Sequence, residues 1–142
     1  MSNRREFMKT SLALAVGVAA GHVTPAMADS VSFPKGIVYT RENPGKWSQK
    51  VEGHVPNVTV EGNKVTVKTK HGMSEAHYIV RHTVVSQNGE VLGEKTFSSS
   101  DVEATSVFEL SPGRTDHAWV RSTLYATSFC NLHDLWVTEF KA

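Results

Sequence analysis

The chain has 142 residues, with 15 lysine and arginine residues against 14 aspartate and glutamate residues, which gives a net charge of +1. This length suits one domain, and the balanced charge argues against a nucleic-acid partner or an anionic membrane surface. The only cysteine cannot form an internal disulfide. In an oxidising compartment, a lone thiol is expected to bridge two molecules, to be reactive or to bind a metal.

The first 28 residues have the pattern of an export signal. A charged start with the pair Arg4-Arg5 precedes an apolar run over residues 12–20 and a small-x-small cleavage site that ends at Ala28. The adjacent arginines predict the twin-arginine route, which exports folded proteins, and therefore a periplasmic location. The apolar run is too short to predict a membrane span. The mature chain, residues 29–142, carries 12 basic and 13 acidic residues, a net charge of −1.

The mature chain is predicted to be one all-β domain. Residues 64–70 alternate polar and β-branched residues, which is typical of a strand with one buried face. Gln87-Asn88-Gly89 indicates a hairpin turn, and no stretch shows the 3.6-residue apolar period of a helix. About seven short strands with frequent turns predict an antiparallel β-sandwich of immunoglobulin-like type. The strands are expected at residues 57–62, 64–70, 78–85, 91–97, 105–110, 118–129 and 135–140, after a loose lead-in over residues 29–48.

The candidate metal ligands begin with the cysteine. Cys130 and His133 lie three residues apart, so one loop can present a thiolate and an imidazole to one transition metal. An isolated pair of this kind is also typical of a buried free cysteine. His82 lies within a predicted strand and His117 follows a turn, so neither is included in the candidate site. Four histidines fall in loops or at strand ends, where side chains can converge: His54, His71, His77 and His133. Imidazoles with one thiolate favour iron, copper or zinc over magnesium or calcium.

Three motifs in order resemble the superoxide reductases, the family of neelaredoxin and of the desulfoferrodoxin iron domain. The first is Glu52-x-His54-Val55-Pro56. The second has His71 and, six residues later, His77 followed by Tyr78-Ile79. The third, Cys130-Asn131-x-His133-x-Leu135-Trp136, is the most specific. The resemblance spans residues 47–140, nearly the whole mature chain.

The resemblance implies a mononuclear non-haem iron as cofactor, with superoxide as substrate and hydrogen peroxide as product. Glu52 matches the glutamate that binds the ferric ion in this family and leaves that position open in the ferrous state. Electron density from the axial thiolate favours product release, and the backbone N–H groups of Asn131 and Leu132 are expected near the sulfur. The equatorial ligands would be His54, His71, His77 and His133, and the axial ligand would be Cys130.

The single cysteine places the chain in the one-iron class, because two-iron members have an additional four-cysteine site. For the one-iron class the resemblance implies a homotetramer. Export also separates the chain from the small cytoplasmic iron-sulfur donors of the family, so an unidentified periplasmic electron donor is expected.

The chain departs from the family pattern at three positions. Gly53 replaces a lysine that is thought to attract the anion and to help protonate the product, and we expect Lys70 to supply that charge, with Lys50 the weaker candidate. Gly72 replaces a proline after His71. Asp134 replaces a glycine; if that position requires a positive φ, aspartate tolerates it better than most residues. Asp134 could alternatively form a salt bridge near the site.

Three alternatives remain at the level of the sequence. A cupredoxin-like electron carrier is also an exported sandwich with Cys and His in a C-terminal loop, but Met73, the only methionine of the mature chain, does not follow His133. A non-catalytic module that binds iron or transfers electrons would explain the missing lysine. A structural zinc site is normally four-coordinate and would leave a fifth ligand unused.

Overall fold

The computed structural model of the protein describes residues 35–110 and 122–142. Within these ranges eight strands form two sheets, which confirms the predicted antiparallel β-sandwich. A 3₁₀ helix, Gly45–Lys50, leads into a one-turn helix α1, Val51–His54. The strands are β1 (Val38–Tyr39), β2 (Asn57–Glu61), β3 (Lys64–Thr69), β4 (Ile79–Ser86), β5 (Val91–Thr96), β6 (Ala104–Glu109), β7 (Thr123–Cys130) and β8 (Asp134–Lys141).

The two sheets have the strand orders β1-β8-β7-β4-β5 and β2-β3-β6. All pairs are antiparallel except β1 with β8, where Val38 and Tyr39 lie opposite Leu135 and Trp136 in parallel register. Each of the predicted strands within the described ranges is present, with ends that agree to within about two residues. The exception is the start of the strand predicted over 118–129, because residues 111–121 are not described.

Turn chemistry fixes the β4–β5 hairpin as the sequence indicated. Gly89 has φ +84, a left-handed conformation that glycine adopts without a β-carbon clash, and its N–H donates to Ser86 O at 2.9 Å.

A second glycine, Gly93, is required for packing between the sheets. A β-carbon at Gly93 of β5 would collide with the ring of Phe108, which lies at the edge of the apolar core.

The space between the sheets changes in character along the sandwich. At one end it is apolar and contains Val65, Val67, Val84, Phe108, Leu110, Leu124 and Ala126. The next inward-facing positions are polar, and their side chains are buried: Thr69, His82, Ser106 and Ser128. We call these four residues the polar layer. Beyond it, β3 leads to His71 and β7 ends at Cys130, so the polar layer lies between the apolar core and the candidate ligands.

No helix within the described residues is long and apolar enough to cross a membrane. The predicted signal peptide, residues 1–28, and His117 lie outside the described residues, so the prediction of export remains a prediction.

Candidate metal centre

All five predicted histidine and cysteine ligands lie together where several strands begin or end. His54 ends α1, His71 follows β3, His77 precedes β4, Cys130 ends β7 and His133 lies in the turn before β8. One ligand atom from each of them lies within 4.8 Å of all the others. Strand pairing brings them together, because Cys130 lies opposite Ile79 on β4 and opposite Asp134 on β8.

The four imidazoles form a closed ring. Neighbouring rings meet nearly edge to face, with interplanar angles of 71–90° and centroid separations of 4.3–4.7 Å. His77 Nε2 lies 3.0 Å from His71 Nε2 and 2.9 Å from His133 Nδ1, and His133 Nδ1 lies 2.9 Å from His54 Nε2. Metal–imidazole bonds of about 2.1 Å, as found for zinc, separate neighbouring nitrogens by about 3.0 Å when they meet at right angles. These distances fit four nitrogens around one ion.

Hydrogen bonds show that lone pairs point into this ring. His54 Nδ1–H donates to Lys50 O at 2.8 Å, and His71 Nδ1–H donates to Gly72 O. The Nε2 atoms of His54 and His71 therefore each carry an unshared pair, since a neutral imidazole has only one N–H. Converging lone pairs repel one another, and a bound cation removes that repulsion. The donor set thus fits a transition-metal ion.

Desolvation favours the neutral form of three of the site imidazoles, and the neutral form is the one that binds a metal. Desolvation lowers the pKa of His54 to about 4, and the charges of the other site histidines add to this effect. Desolvation also lowers the pKa of His71 and of His133, and in both cases the positive charge of Lys50 contributes. Neutral imidazoles at neutral pH are ready to bind a metal without first losing a proton.

Cys130 supplies a sulfur on one side of the ring that the four imidazoles form. Its Sγ lies 3.6 Å from His133 Nδ1 and 4.0 Å from His71 Nε2, and the side chain is buried. Burial raises the pKa of the thiol, while the backbone N–H groups of Leu132 and His133 act in the opposite direction. The expectation that the Leu132 N–H lies near the sulfur agrees with the structure, but the one for the Asn131 N–H is wrong.

The Asn131 N–H instead donates to Tyr78 O at 3.2 Å, because this residue joins the two ligand loops. Its side-chain Oδ1 accepts from Tyr78 N–H at 3.0 Å, and its Nδ2 donates to Ala76 O at 3.0 Å. These three bonds flank His77 on both sides. Asn131 therefore fixes the loop that carries His77 against the loop that carries Cys130.

Trp47 and Asp134 support His133 from outside. The Trp47 indole packs edge-on against the His133 ring with a centroid distance of 4.6 Å, and its Nε1–H donates to Asp134 Oδ2 at 2.9 Å. Lys46 Nζ lies 3.3 Å from the same oxygen. Asp134 has φ +64, so the structure shows both properties that its sequence position suggested, a left-handed backbone and a salt bridge. The hydrogen bond from Trp47, followed by Lys46, lowers the pKa of Asp134.

Glu52 lies outside the ligand cluster in this structure. Its carboxylate accepts a hydrogen bond from Arg41 Nη1 at 2.5 Å, and the side chain is 77% exposed. This partner lowers the pKa of Glu52, and the more distant charge of Lys70 acts in the same direction. The carboxylate is thus ionised and held on the outer side of α1. Arg41 has no recognisable signal in the sequence, because it lies in the segment predicted to be a loose lead-in.

Two lysines lie near the position of the missing family lysine. A β-carbon at Gly53 would lie 3.6 Å from the backbone oxygen of Lys70, so these two residues are spatial neighbours. Lys50 lies one residue before α1, and its charge acts on His71 and His133. Lys50 and Lys70 are both exposed. That Lys70 replaces the family lysine remains a prediction. The effect of the Lys50 charge on the pKa of His71 and His133 supports Lys50 as the other candidate.

Comparison with known proteins points to one family. The family model described as Desulfoferrodoxin matches residues 46–139. A variant of the superoxide reductase (neelaredoxin) from Ignicoccus hospitalis is 25% identical, with 77% of this chain and 94% of that chain covered and a TM-score of 0.58. The superoxide reductase from Treponema pallidum is 28% identical over 64% of this chain and 69% of that chain, with a TM-score of 0.52.

The one-iron superoxide reductase from Giardia intestinalis shares the fold, with a TM-score of 0.54 at 23% identity, over 64% of this chain and 99% of that chain. A comparison with curated protein sequences finds no match. The family model covers about two thirds of the chain, and this part includes all four histidines of the ligand cluster and Cys130. The cofactor of this family is a mononuclear iron centre, which the donor set fits. The chain therefore belongs to the desulfoferrodoxin family.

Proposed function

We propose that this protein reduces superoxide to hydrogen peroxide at a mononuclear iron held by four imidazoles and one thiolate. The observation that supports this most directly is the convergence of five ligand atoms within 4.8 Å. The residues that would hold the iron are His54, His71, His77, His133 and Cys130. In the reaction, one superoxide anion takes up one electron and two protons to give one hydrogen peroxide.

The iron, when bound, supplies the electron and an open coordination position for the anion. The protein residues hold and tune that centre. The hydrogen bonds of His54 and His71 to backbone carbonyls fix the ring orientations, and carbonyl partners of this kind raise the basicity of a metal-binding imidazole. The N–H groups of Leu132 and His133 stabilise negative charge on the Cys130 sulfur. While Glu52 is paired with Arg41, its carboxylate lies outside the ligand cluster, so it would not compete with the anion for the iron.

Positive charge near the site attracts the anion and assists proton delivery. We assign this role to Lys70, which is a neighbour of Gly53, and to Lys50, whose charge already acts on two of the ring histidines. Opposite charge on a protein surface raises the association rate of a small anion in a salt-dependent manner.

A second candidate function is a non-catalytic iron-binding or electron-transfer module. The observation that favours it is Gly53, which stands where the family has a lysine. The cupredoxin-like alternative has less support, because blue copper sites use two histidines whereas four converge here. Met73 packs against the apolar cluster that includes Cys130, so it provides a direct test of copper chemistry.

The first experiment is metal analysis of the purified protein with optical spectra before and after oxidation. We expect one iron per chain, little colour when reduced and a broad thiolate-to-iron(III) band when oxidised. Cys130→Ser is expected to abolish the band, while Met73→Leu, as matched control, leaves it unchanged. Rapid reduction of superoxide by the ferrous form separates the enzyme from the non-catalytic module. A band that follows copper content and changes in Met73→Leu would contradict the proposal.

We also propose that the mature chain, residues 29–142, acts in the periplasm after twin-arginine export, as a homotetramer, with a periplasmic electron donor. The sequence of residues 1–28 supports export, and the family resemblance supports the assembly. Cell fractionation of the wild type and of a variant with both Arg4 and Arg5 replaced by lysine tests the route. Retention of the variant in the cytoplasm is expected, and unchanged export would contradict it. Light scattering of the purified protein measures the assembly.

A further inference from the structure

We infer that the polar layer between the sheets positions the metal centre, with His82 as the residue that joins its members. This inference rests on the proposed metal site. None of the four residues of the polar layer is a predicted ligand. They lie between the ligand cluster and the apolar core, and they are Thr69, His82, Ser106 and Ser128.

The four side chains form one continuous hydrogen-bonded chain. Thr69 Oγ1–H donates to Ser128 Oγ at 2.8 Å, and Thr69 Oγ1 also lies 2.9 Å from His82 Nε2. Because the single hydroxyl proton of Thr69 is used toward Ser128, His82 Nε2–H must be the donor to Thr69. The other ring nitrogen, Nδ1, then has a free pair and accepts from Ser106 Oγ–H at 2.9 Å. Every ring nitrogen of His82 is thus satisfied.

Each of the three hydrogen bonds in this chain joins one sheet to the other. Ser106 and Thr69 belong to the β2-β3-β6 sheet, whereas His82 and Ser128 are a cross-strand pair in the other sheet. Apolar contacts hold the rest of the sandwich together but set no fixed hydrogen-bond geometry. Directional bonds at this level therefore fix the separation and register of the two sheets next to the site.

The layer is connected to one ligand in each sheet. Thr69 ends β3 two residues before His71, and Ser128 lies two residues before Cys130 on the same inward face of β7. The two ligands come from opposite sheets, and their ligand atoms lie 4.0 Å apart. A shift of one sheet relative to the other would change that distance directly.

His82 also contacts the sulfur side of the site through an aromatic residue. Its ring packs edge-to-face on Phe97 with a centroid distance of 4.9 Å, and Phe97 belongs to the apolar cluster that includes Cys130. Complete burial keeps the imidazole neutral, so it can donate at one nitrogen and accept at the other. A leucine in this place would fill much of the same volume and would leave the hydroxyls of Thr69 and Ser106 without the partner that they share.

The experiment compares two isosteric threonine-to-valine variants. Thr69→Val removes the hydroxyl that links His82 to Ser128. Thr83→Val, the matched control, removes a buried hydroxyl that is bonded only within one sheet, to Thr127. Anaerobic competition with a chelator gives the Fe²⁺ affinity, and the optical spectrum of the oxidised protein gives the energy of the thiolate-to-iron band. Outer partners of metal ligands are typically worth about 10–100-fold in affinity.

We expect Thr69→Val to lose affinity by roughly tenfold and to shift the band, and Thr83→Val to stay within about twofold of the wild type without a shift. His82→Leu is expected to behave like Thr69→Val. His82→Gln, which retains a donor toward Thr69, is expected to restore most of the affinity and the band position. A role in folding stability alone would not shift the band or produce this rescue.

Two results would overturn the inference, and they can be distinguished. A wild-type protein that binds no iron would overturn the proposed function and this inference with it. A wild-type protein that binds iron, with Thr69→Val and His82→Leu equal to it in affinity and spectrum, would overturn the inference alone. If His82→Leu does not fold, the comparison of Thr69→Val with Thr83→Val decides the question.

Discussion

The Trp47 indole donates a hydrogen bond to Asp134 Oδ2 at 2.9 Å across 87 residues of sequence, and the same indole packs on the ring of His133. The Asp134 carboxylate thus holds in place the indole that packs against His133, a predicted metal ligand. Asp134 also occupies a left-handed backbone position, with φ +64. Short polar side chains tolerate this region better than alanine does. The residue therefore has a conformational role and a bonding role at once.

Replacement of Asp134 separates these two roles. We expect Asp134→Ala to lower the free energy of unfolding by about 1–2 kcal/mol, since it loses a hydrogen bond and places alanine at a positive φ. Asp134→Gly should recover the conformational part and still change the Trp47 fluorescence. Urea denaturation measures the first effect. Glu139→Ala, an exposed change on the same strand, is the control, and equal stability of Asp134→Ala and wild type would contradict the prediction.

Lysine variants test how the anion is attracted. We expect Lys70→Ala and Lys50→Ala each to lower the second-order rate with superoxide and its dependence on ionic strength, because each removes a positive charge near the site. Gly53→Lys is expected to restore the rate in the Lys70→Ala background, since a β-carbon at position 53 is in ordinary contact with the Lys70 backbone.

Lys64→Ala is the matched control for these variants. Lys64 begins the strand that ends just before Lys70, so it lies roughly 20 Å from it at about 3.3 Å per residue. Pulse radiolysis at several salt concentrations gives both the rate and its slope. A Lys70→Ala variant with the wild-type rate and slope would rule out that residue, and the same result for Lys50→Ala would rule out the other.

Glu52 is expected to be dispensable for iron binding in the reduced protein. Its carboxylate is exposed and paired with Arg41, so Glu52→Ala should retain one ferrous iron per chain. If the carboxylate reaches the centre on oxidation, the absorption band of the oxidised protein will shift in Glu52→Ala and remain unshifted in Glu42→Ala, a nearby exposed control. Loss of ferrous iron in Glu52→Ala would show that the ion pair with Arg41 is not its main state.

Acid should destabilise the protein through His82. Burial, with a further contribution from Lys95, lowers the pKa of this histidine to about 4 from an ordinary value of 6.5. The folded state therefore binds fewer protons than the unfolded state between these values, so stability is complete above about pH 6.5 and falls as the pH drops toward 4. The full effect is about 3 kcal/mol.

The measurement is the free energy of unfolding at several pH values for wild type and His82→Gln. The variant has no titrating group at this position, so the difference between the two curves isolates His82 from the site histidines. We expect the two curves to converge as the pH falls from 6.5 to 4. Parallel curves would mean that His82 binds its proton equally well in the folded and unfolded states, and they would contradict the prediction.

The sequence predicted the strands well where one face alternates strongly, as in β3 and β8, and where glycine marks a turn, as at Gly89. It did not predict β1 or the short helices before His54. A two-residue strand owes its existence to parallel pairing with β8, almost a hundred residues later, and a single helical turn is too short to show a period. Such elements depend on distant contacts that leave no local pattern.

The ligand cluster was predictable because its residue types are few and chemically distinctive. The polar layer was not, since threonine and serine within a strand are equally typical of a solvent-facing side. The position of His82 inside a predicted strand argues against a role as a ligand, and the structure shows that this position buries it between the sheets. The informative signal was positional: Thr69 and Ser128 each stand two residues before a predicted ligand, on the same face of the strand.

The ligands also have a consequence for the conformational entropy of the chain. Contacts within the cluster join residues 56, 59 and 79 positions apart. An ion bound by all five would close several long loops in a chain whose only cysteine is itself one of the ligands, as a covalent cross-link does elsewhere. The loaded protein can then unfold completely only by releasing its ion, so the lifetime of the folded state becomes tied to the rate of metal dissociation.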